Sequence, residues 1–266
     1  LDGAAERRRF FDRLVFAALV RRALFAELGG EERFASVDVR LVRTDKADAP
    51  SNDEATALLR ITVKDQEGAK VGRAFTNAAV EMALGNYPGF FATTPPTPES
   101  PYGVYWPALV PRSWIDEVVV THDGRRIPIA APAGAGGDAS LAIDAPGLPA
   151  IASGATERRP LGTLFGARSG DKGGNANVGV WARSPEAFAW LRGFLDTERF
   201  RALVPDAAKL EVRRYELPNI LSLNFVVVGL LGDGVAASTR ADPQAKGLGE
   251  YLRSRLVDLP VSLLPR

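Results

Sequence analysis

The chain has 266 residues, enough for one large domain or two modest ones, and its 46% hydrophobic and 24% charged residues are those of a folded globular protein. Lys plus Arg (33) and Asp plus Glu (32) nearly cancel, so no global field draws the chain to nucleic acid or an anionic membrane. Cysteine is absent and His122 is the one histidine, which excludes disulfides, thiolate metal sites, cysteine nucleophiles and histidine-rich metal cages.

The start, LDGAAERRRF, lacks an initiator Met and signal-peptide organisation, so the chain reads as a cytoplasmic piece of a longer protein. Residues 4–28 are predicted to be helical, from apolar positions spaced three and four apart (Phe11, Leu14, Val15, Ala18, Phe25), with Gly29-Gly30 as the stop. The run Leu14 to Val20 is far short of the ~20 residues that cross a bilayer. ASVDVRLVRT alternates apolar and polar residues as a half-buried strand does, and ATALLRITVKD is a second strand. VGRAFTNAAVEMALGNYPG is predicted to be a helix stopped near Gly85 and Pro88. Asp45, Asp48, Asp53 and Glu54 lie in a loop without calcium-loop spacing, so no metal is expected.

From Tyr87 to Arg112 prolines alternate with aromatics. That density forbids regular structure while the rings favour burial, so an ordered functional loop, a cover over the core and a subunit contact all remain open. IDEVVVTHDGRRIPIA reads as a hairpin with Asp123-Gly124 at its turn and His122 solvated beside it. Residues 132–157 are Gly/Pro/Ala-rich and form the linker between a first α+β domain (1–131) and a second domain (158–266).

In the second domain LGTLFGA and NVGVWAR are predicted strands, and the charged, glycine-rich stretch between them a loop. Next comes one helix, SPEAFAWLRGFLDTERFRALVP, capped by Ser184 with Pro185 in its first turn. LEVRRYELPNI and SLNFVVVGLL are strands joined by a Pro-Asn turn, and DPQAKGLGEYLRSRLVDLP is a closing helix capped by Asp242. The fold class expected is α+β in two domains, the second a small ferredoxin-like sandwich in the order β-β-α-β-β-α.

The loop carries the candidate site. Gly173 and Gly174, with Gly166, Gly170 and Gly179 around them, offer backbone donors, and Arg168 and Lys172 add a planar fork and a point charge suited to phosphate or carboxylate. Ser169, Asn175 and Asn177 supply hydroxyl and amide contacts, and Asp171 is the nearest general acid/base. The spacing fits neither a P-loop nor a dinucleotide fingerprint. The alternative is that the glycines and Asx residues only hold turns, or that the loop meets another subunit. Arg214, Tyr215 and Asn224 form a second group; the amide of Asn224, in an apolar strand, either braces 166–180 or points into a pocket.

RSGDKGGNANVGV, VRRYELPNILSLNFV and ADPQAKGLGEYL, in this order, resemble the C-terminal module of the acyclic terpene utilisation (AtuA-like) family. GRAFTNAAVEMALGNYPGFFATTPP and YGVYWPALVPR resemble the tail of the larger domain that precedes it. The resemblance implies bacterial catabolism of branched acyclic terpenoid acids as CoA thioesters, and, without the family's long N-terminal segment, a chain that is a C-terminal fragment or a short-form relative. An acyl-CoA or acid substrate held by a 168–177 anion-binding loop is therefore expected, with hydratase, lyase or hydrolase chemistry if the protein is an enzyme. No cofactor is expected, and a homo-oligomer is. The rival reading is a non-catalytic assembly module.

Overall fold

The computed structural model describes residues 17–44, 46, 48–84, 91–130 and 147–265. The chain divides into two compact units, one ending at Pro101 and one beginning at Tyr102. Both are α+β, and all strand pairs among the described residues are antiparallel. No helix in them is long and apolar enough to cross a membrane.

The first unit follows its hydrophobic pattern. Helix α1 runs through residues 17–27 and ends at Gly29 and Gly30, both at positive φ. Strand β1 (Ser36–Arg43) pairs along its full length with β2 (Ala57–Lys64). The next predicted helix is two, α2 (Gly68–Val71) and α3 (Arg73–Leu84), parted at Gly72. Phe34 packs edge-on against Phe25 (5.7 Å) and Phe75 (6.3 Å) as the centre of a small core. Asp65 accepts the backbone N–H groups of Glu67 (2.9 Å) and Ala35 (3.1 Å); the bond from Glu67 does most to hold its carboxyl below the usual range. The expected start of α1 at residue 4 and the stop near Gly85 and Pro88 lie outside the described residues.

The proline-rich stretch lacks regular structure over residues 91–111, as its composition requires. Among the described residues the burial expected of its aromatics is not found: Trp106 is 87% exposed. Beyond it, β3 (Val118–Val120) and β4 (Arg126–Pro128) form the predicted hairpin, Gly124 at φ 82° in the turn. The predicted linker lies outside the described residues up to residue 146.

The rest of the second unit contains β5 (Thr156–Pro160), β6 (Gly166–Lys172), β7 (Asn175–Trp181), α4 (Pro185–Phe194), α5 (Thr197–Leu203), β8 (Val212–Leu217), β9 (Ser222–Val227), α6 (Leu248–Ser254) and β10 (Leu256–Pro260). β6-β7-β9-β8 form one sheet in that order, and β5 pairs with β10 in a separate ribbon. Traced from β7, the sheet reads strand, helix, strand, strand, helix and then back to β6, the split β-α-β arrangement entered one strand early. Alternate sheet residues Ala167, Ala176, Val178, Val180, Leu223, Phe225 and Val227 join Phe188, Leu191, Phe200 and Leu252 in one buried core. The helices therefore cover one face and leave the other open.

Four local expectations are corrected. Leu161–Thr163 is a helical turn, not part of a strand, because the chain must turn from the β5 ribbon into the sheet. The helix expected after Ser184 is two; Ser184 caps α4 through Ala187 N–H (3.2 Å), but Asp196 accepts Arg199 N–H (2.6 Å) and starts α5 afresh. Asp242 accepts the N–H groups of Lys246 (2.9 Å) and Gly247 (2.7 Å), so it caps a turn and the helix begins only at Leu248. LVDLP is strand β10, its Val257 and Leu259 buried.

Candidate functional site

The glycine-rich stretch is not a loop. Residues 166–181 form a β-hairpin in which Lys172 pairs with Asn175 across the two-residue turn Gly173-Gly174. Gly173 lies at φ 63° and Gly174 outside the positive-φ region, the pattern of a type II′ turn, which suits the right-handed twist of its strands. A concave nest of successive glycine amides therefore does not form, because Gly166, Gly170 and Gly179 lie inside strands.

Strand alternation still gathers many of the expected residues. Arg168, Gly170 and Lys172 face away from the core on β6, Asn175, Asn177 and Gly179 on β7, Asn224 on β9 and Tyr215 on β8. In register, Arg168, Gly179, Asn224 and Tyr215 form one row across the sheet, and Gly170, Asn177, Val226 and Arg213 the next. The Asn177 side-chain amide donates to Asn224 Oδ1 (2.8 Å), so Asn224 braces the hairpin from the open face. Among the described residues neither Arg168 nor Lys172 has an ion pair or a side-chain hydrogen bond. The open face thus carries two uncommitted cations on either side of a residue without a side chain, with carboxamides alongside.

Three expected contacts have other partners. Ser169 faces the helices; its hydroxyl donates to Lys246 C=O (3.1 Å) and accepts Gly249 N–H (2.8 Å). Arg214 also faces the helices, donating to the carbonyls of Leu195 (3.0 Å) and Arg192 (2.8 Å) at the C-terminal end of α4, and to Glu216 (2.8 Å). Burial opposes ionisation of Glu216, but its bonds from Arg192 and Arg214 outweigh that and hold the carboxyl below the usual range. Asn175 Oδ1 accepts Gly229 N–H (2.8 Å) and pins the hairpin tip to the following turn. Asp171 lies on the helix side of β6, with Oδ1 3.7 Å from Lys246 Nζ.

The sequence reading missed Tyr105, which donates its N–H to Asp233 C=O (2.9 Å), its ring lying over Gly173. Together with Asp171, Asp233 and residues 234–236 it lines an open cavity of about 370 Å³ at the hairpin tip. A second cavity, about 490 Å³ in the first unit, has Arg33, Lys70 and Glu81 on its wall. Lys246 belongs with the cations. Its ammonium stands 3.0 Å from where a Cβ on Gly170 would be. The only sequence signal for this was the glycine itself, in a strand edge that otherwise favours side chains.

Comparison with protein families gives two matches. Residues 159–258 match the model of the AtuA ferredoxin-like domain. Residues 12–121 match that of the acyclic terpene utilisation family protein AtuA. The comparison with curated proteins gave no match, and neither did that with solved structures.

Proposed function

Since the chain belongs to the acyclic terpene utilisation (AtuA-like) family, we propose that it acts in catabolism on a branched acyl-CoA or branched carboxylic acid held by its anionic end on the open sheet face. The observation that carries this is the placement of Arg168 and Lys172 on either side of Gly170, without anionic partners among the described residues and beside the Asn177–Asn224 amide pair. A charged fork and an ammonium attract an anion, and the amides orient a neighbouring carbonyl or hydroxyl. Asp171, on the helix side of the same edge strand and lining the cavity at the hairpin tip, is the carboxylate assigned to proton transfer.

The test is a thermal-shift series with coenzyme A, short branched acyl-CoAs, the free acids and citrate. Ligands bound to the folded state raise the melting temperature. Arg168→Ala and Lys172→Ala should abolish the shift while leaving the unliganded melting temperature within a degree or two of wild type. Absence of any shift in wild type, or full retention in both variants, overturns the reading.

A second reading has its own observation. Trp106 and Trp114, 87% and 77% exposed, are apolar surface of the kind that subunit contacts cover. A homo-oligomer formed through this stretch predicts that Trp106→Ser lowers the apparent mass in gel filtration; an unchanged mass overturns it.

A further inference from the structure

The position of Lys246 is built, although its side chain is on the surface. Its N–H is held by Asp242 (2.9 Å) and its C=O by Ser169 (3.1 Å), and Ala245 before it is buried at φ 51°. Two clamps on one residue's backbone fix the direction in which its side chain leaves the chain. That direction leads to the edge of β6, where the ammonium rests against Gly170 on the side that Arg168 and Lys172 also face. Any Cβ there would crowd it.

Resting on the proposed site above, we infer that Lys246 is a third anion-binding residue, and that the Arg168, Lys172 and Lys246 set takes a phosphoryl group rather than a lone carboxylate. The chemistry follows from number and spacing. Arg168 and Lys172 lie four residues apart on one strand, about 13 Å between Cα atoms. Their side chains must lean inward to share a ligand, and Lys246 fills the middle. Three cationic groups arranged this way carry more positive charge than a carboxylate's single negative charge balances, and match the higher charge and the several oxygens of a phosphate or pyrophosphate. Asp171 holds the ammonium by a loose, half-exposed ion pair at 3.7 Å, which an incoming dianion displaces. Asp171 is therefore a competitor for Lys246.

Calorimetric titration of the full chain at low ionic strength tests this with pyrophosphate, coenzyme A and 3-methylbutanoate as probes. Wild type should bind pyrophosphate more tightly than the carboxylate. Lys246→Ala should weaken pyrophosphate by about tenfold or more, the loss of one charge-assisted hydrogen bond. Lys246→Arg should restore part of that affinity. Gly170→Val, on an open strand face, should keep the melting temperature and weaken pyrophosphate in the same direction as Lys246→Ala but by less, since the ammonium at the end of a flexible chain shifts aside. Asp171→Asn should bind pyrophosphate more tightly than wild type. Comparable affinity for pyrophosphate and coenzyme A assigns the site to any phosphoryl group, and tighter coenzyme A to a carrier-bound one. If Arg168→Ala and Lys172→Ala lose binding while Lys246→Ala and Asp171→Asn match wild type, this inference falls and the anion site stands. If wild type binds none of the three probes, both fall. Self-association of Lys246→Ala with unchanged affinity makes Lys246 a guard of the strand edge and overturns the inference.

Discussion

Gly174 illustrates how tightly the hairpin tip is fitted. A Cβ on it would overlap the carbonyl oxygen of Gly232, which is backbone and cannot rotate away, and Gly174 C=O already accepts Leu231 N–H (2.9 Å). Gly174→Ala is expected to destabilise the protein by about 1–3 kcal/mol through overpacking, read as a lower midpoint in urea with an unchanged slope. Wild-type stability would show that the 229–234 turn gives way freely. At the same scale, Asn224 was legible as a residue out of place in an apolar strand, and its bond with Asn177 gives the reason. Ser169 and Lys246 were not legible in the same way. Their contact joins positions 77 residues apart, and neither local periodicity nor turn chemistry reports such a pairing.

Among the elements, strand β6 was the one hidden by its own chemistry. A half-buried strand announces itself by apolar residues at every second position, but here Ser169 and Asp171 occupy two of the inward positions and bond to or pair with the 246–249 segment. Charge and glycine on both faces then look like a loop. Strands β8 and β9, with Val212, Leu223, Phe225 and Val227 inward, were legible throughout. The Arg192–Glu216–Arg214 cluster joins β8 to the end of α4 and makes that junction sensitive to acid. A carboxyl held below its ordinary value contributes stability that is complete above the unfolded-state value, near 4.3, and disappears as pH falls through the folded-state one. Glu216→Gln should therefore be less stable than wild type at neutral pH, with the gap closing in acid, as followed by urea unfolding across pH. A gap independent of pH would remove the ionic part of that account.

For the whole molecule, the core of the second unit is contributed by segments from both ends of its ferredoxin-like part. Val257 and Leu259 of β10 pack into the cluster that Leu161 enters just after β5. A fragment of residues 147–266 is expected to unfold in one cooperative transition by circular dichroism, whereas the same fragment stopped after Arg255 should lack that transition. Native-like melting of the shorter piece would show that β10 is dispensable. The general architecture, helices over an antiparallel sheet, was legible because capping residues and two-residue alternation are local. The β5–β10 ribbon was not, since TERRP and LVDLP are short and mixed, and each is a strand only because the other lies beside it.

Thr156 and Pro260 are register partners in that ribbon, so the polypeptide enters and leaves this part of the protein about 5 Å apart. A body whose two leads emerge together can be spliced into a surface turn of another protein, or hung from a neighbour on a single stalk, without disturbing its interior. The sheet order supports the same portability: entering at β6 or at β7 yields one arrangement, so where the backbone is cut matters less than that its cut ends are stitched.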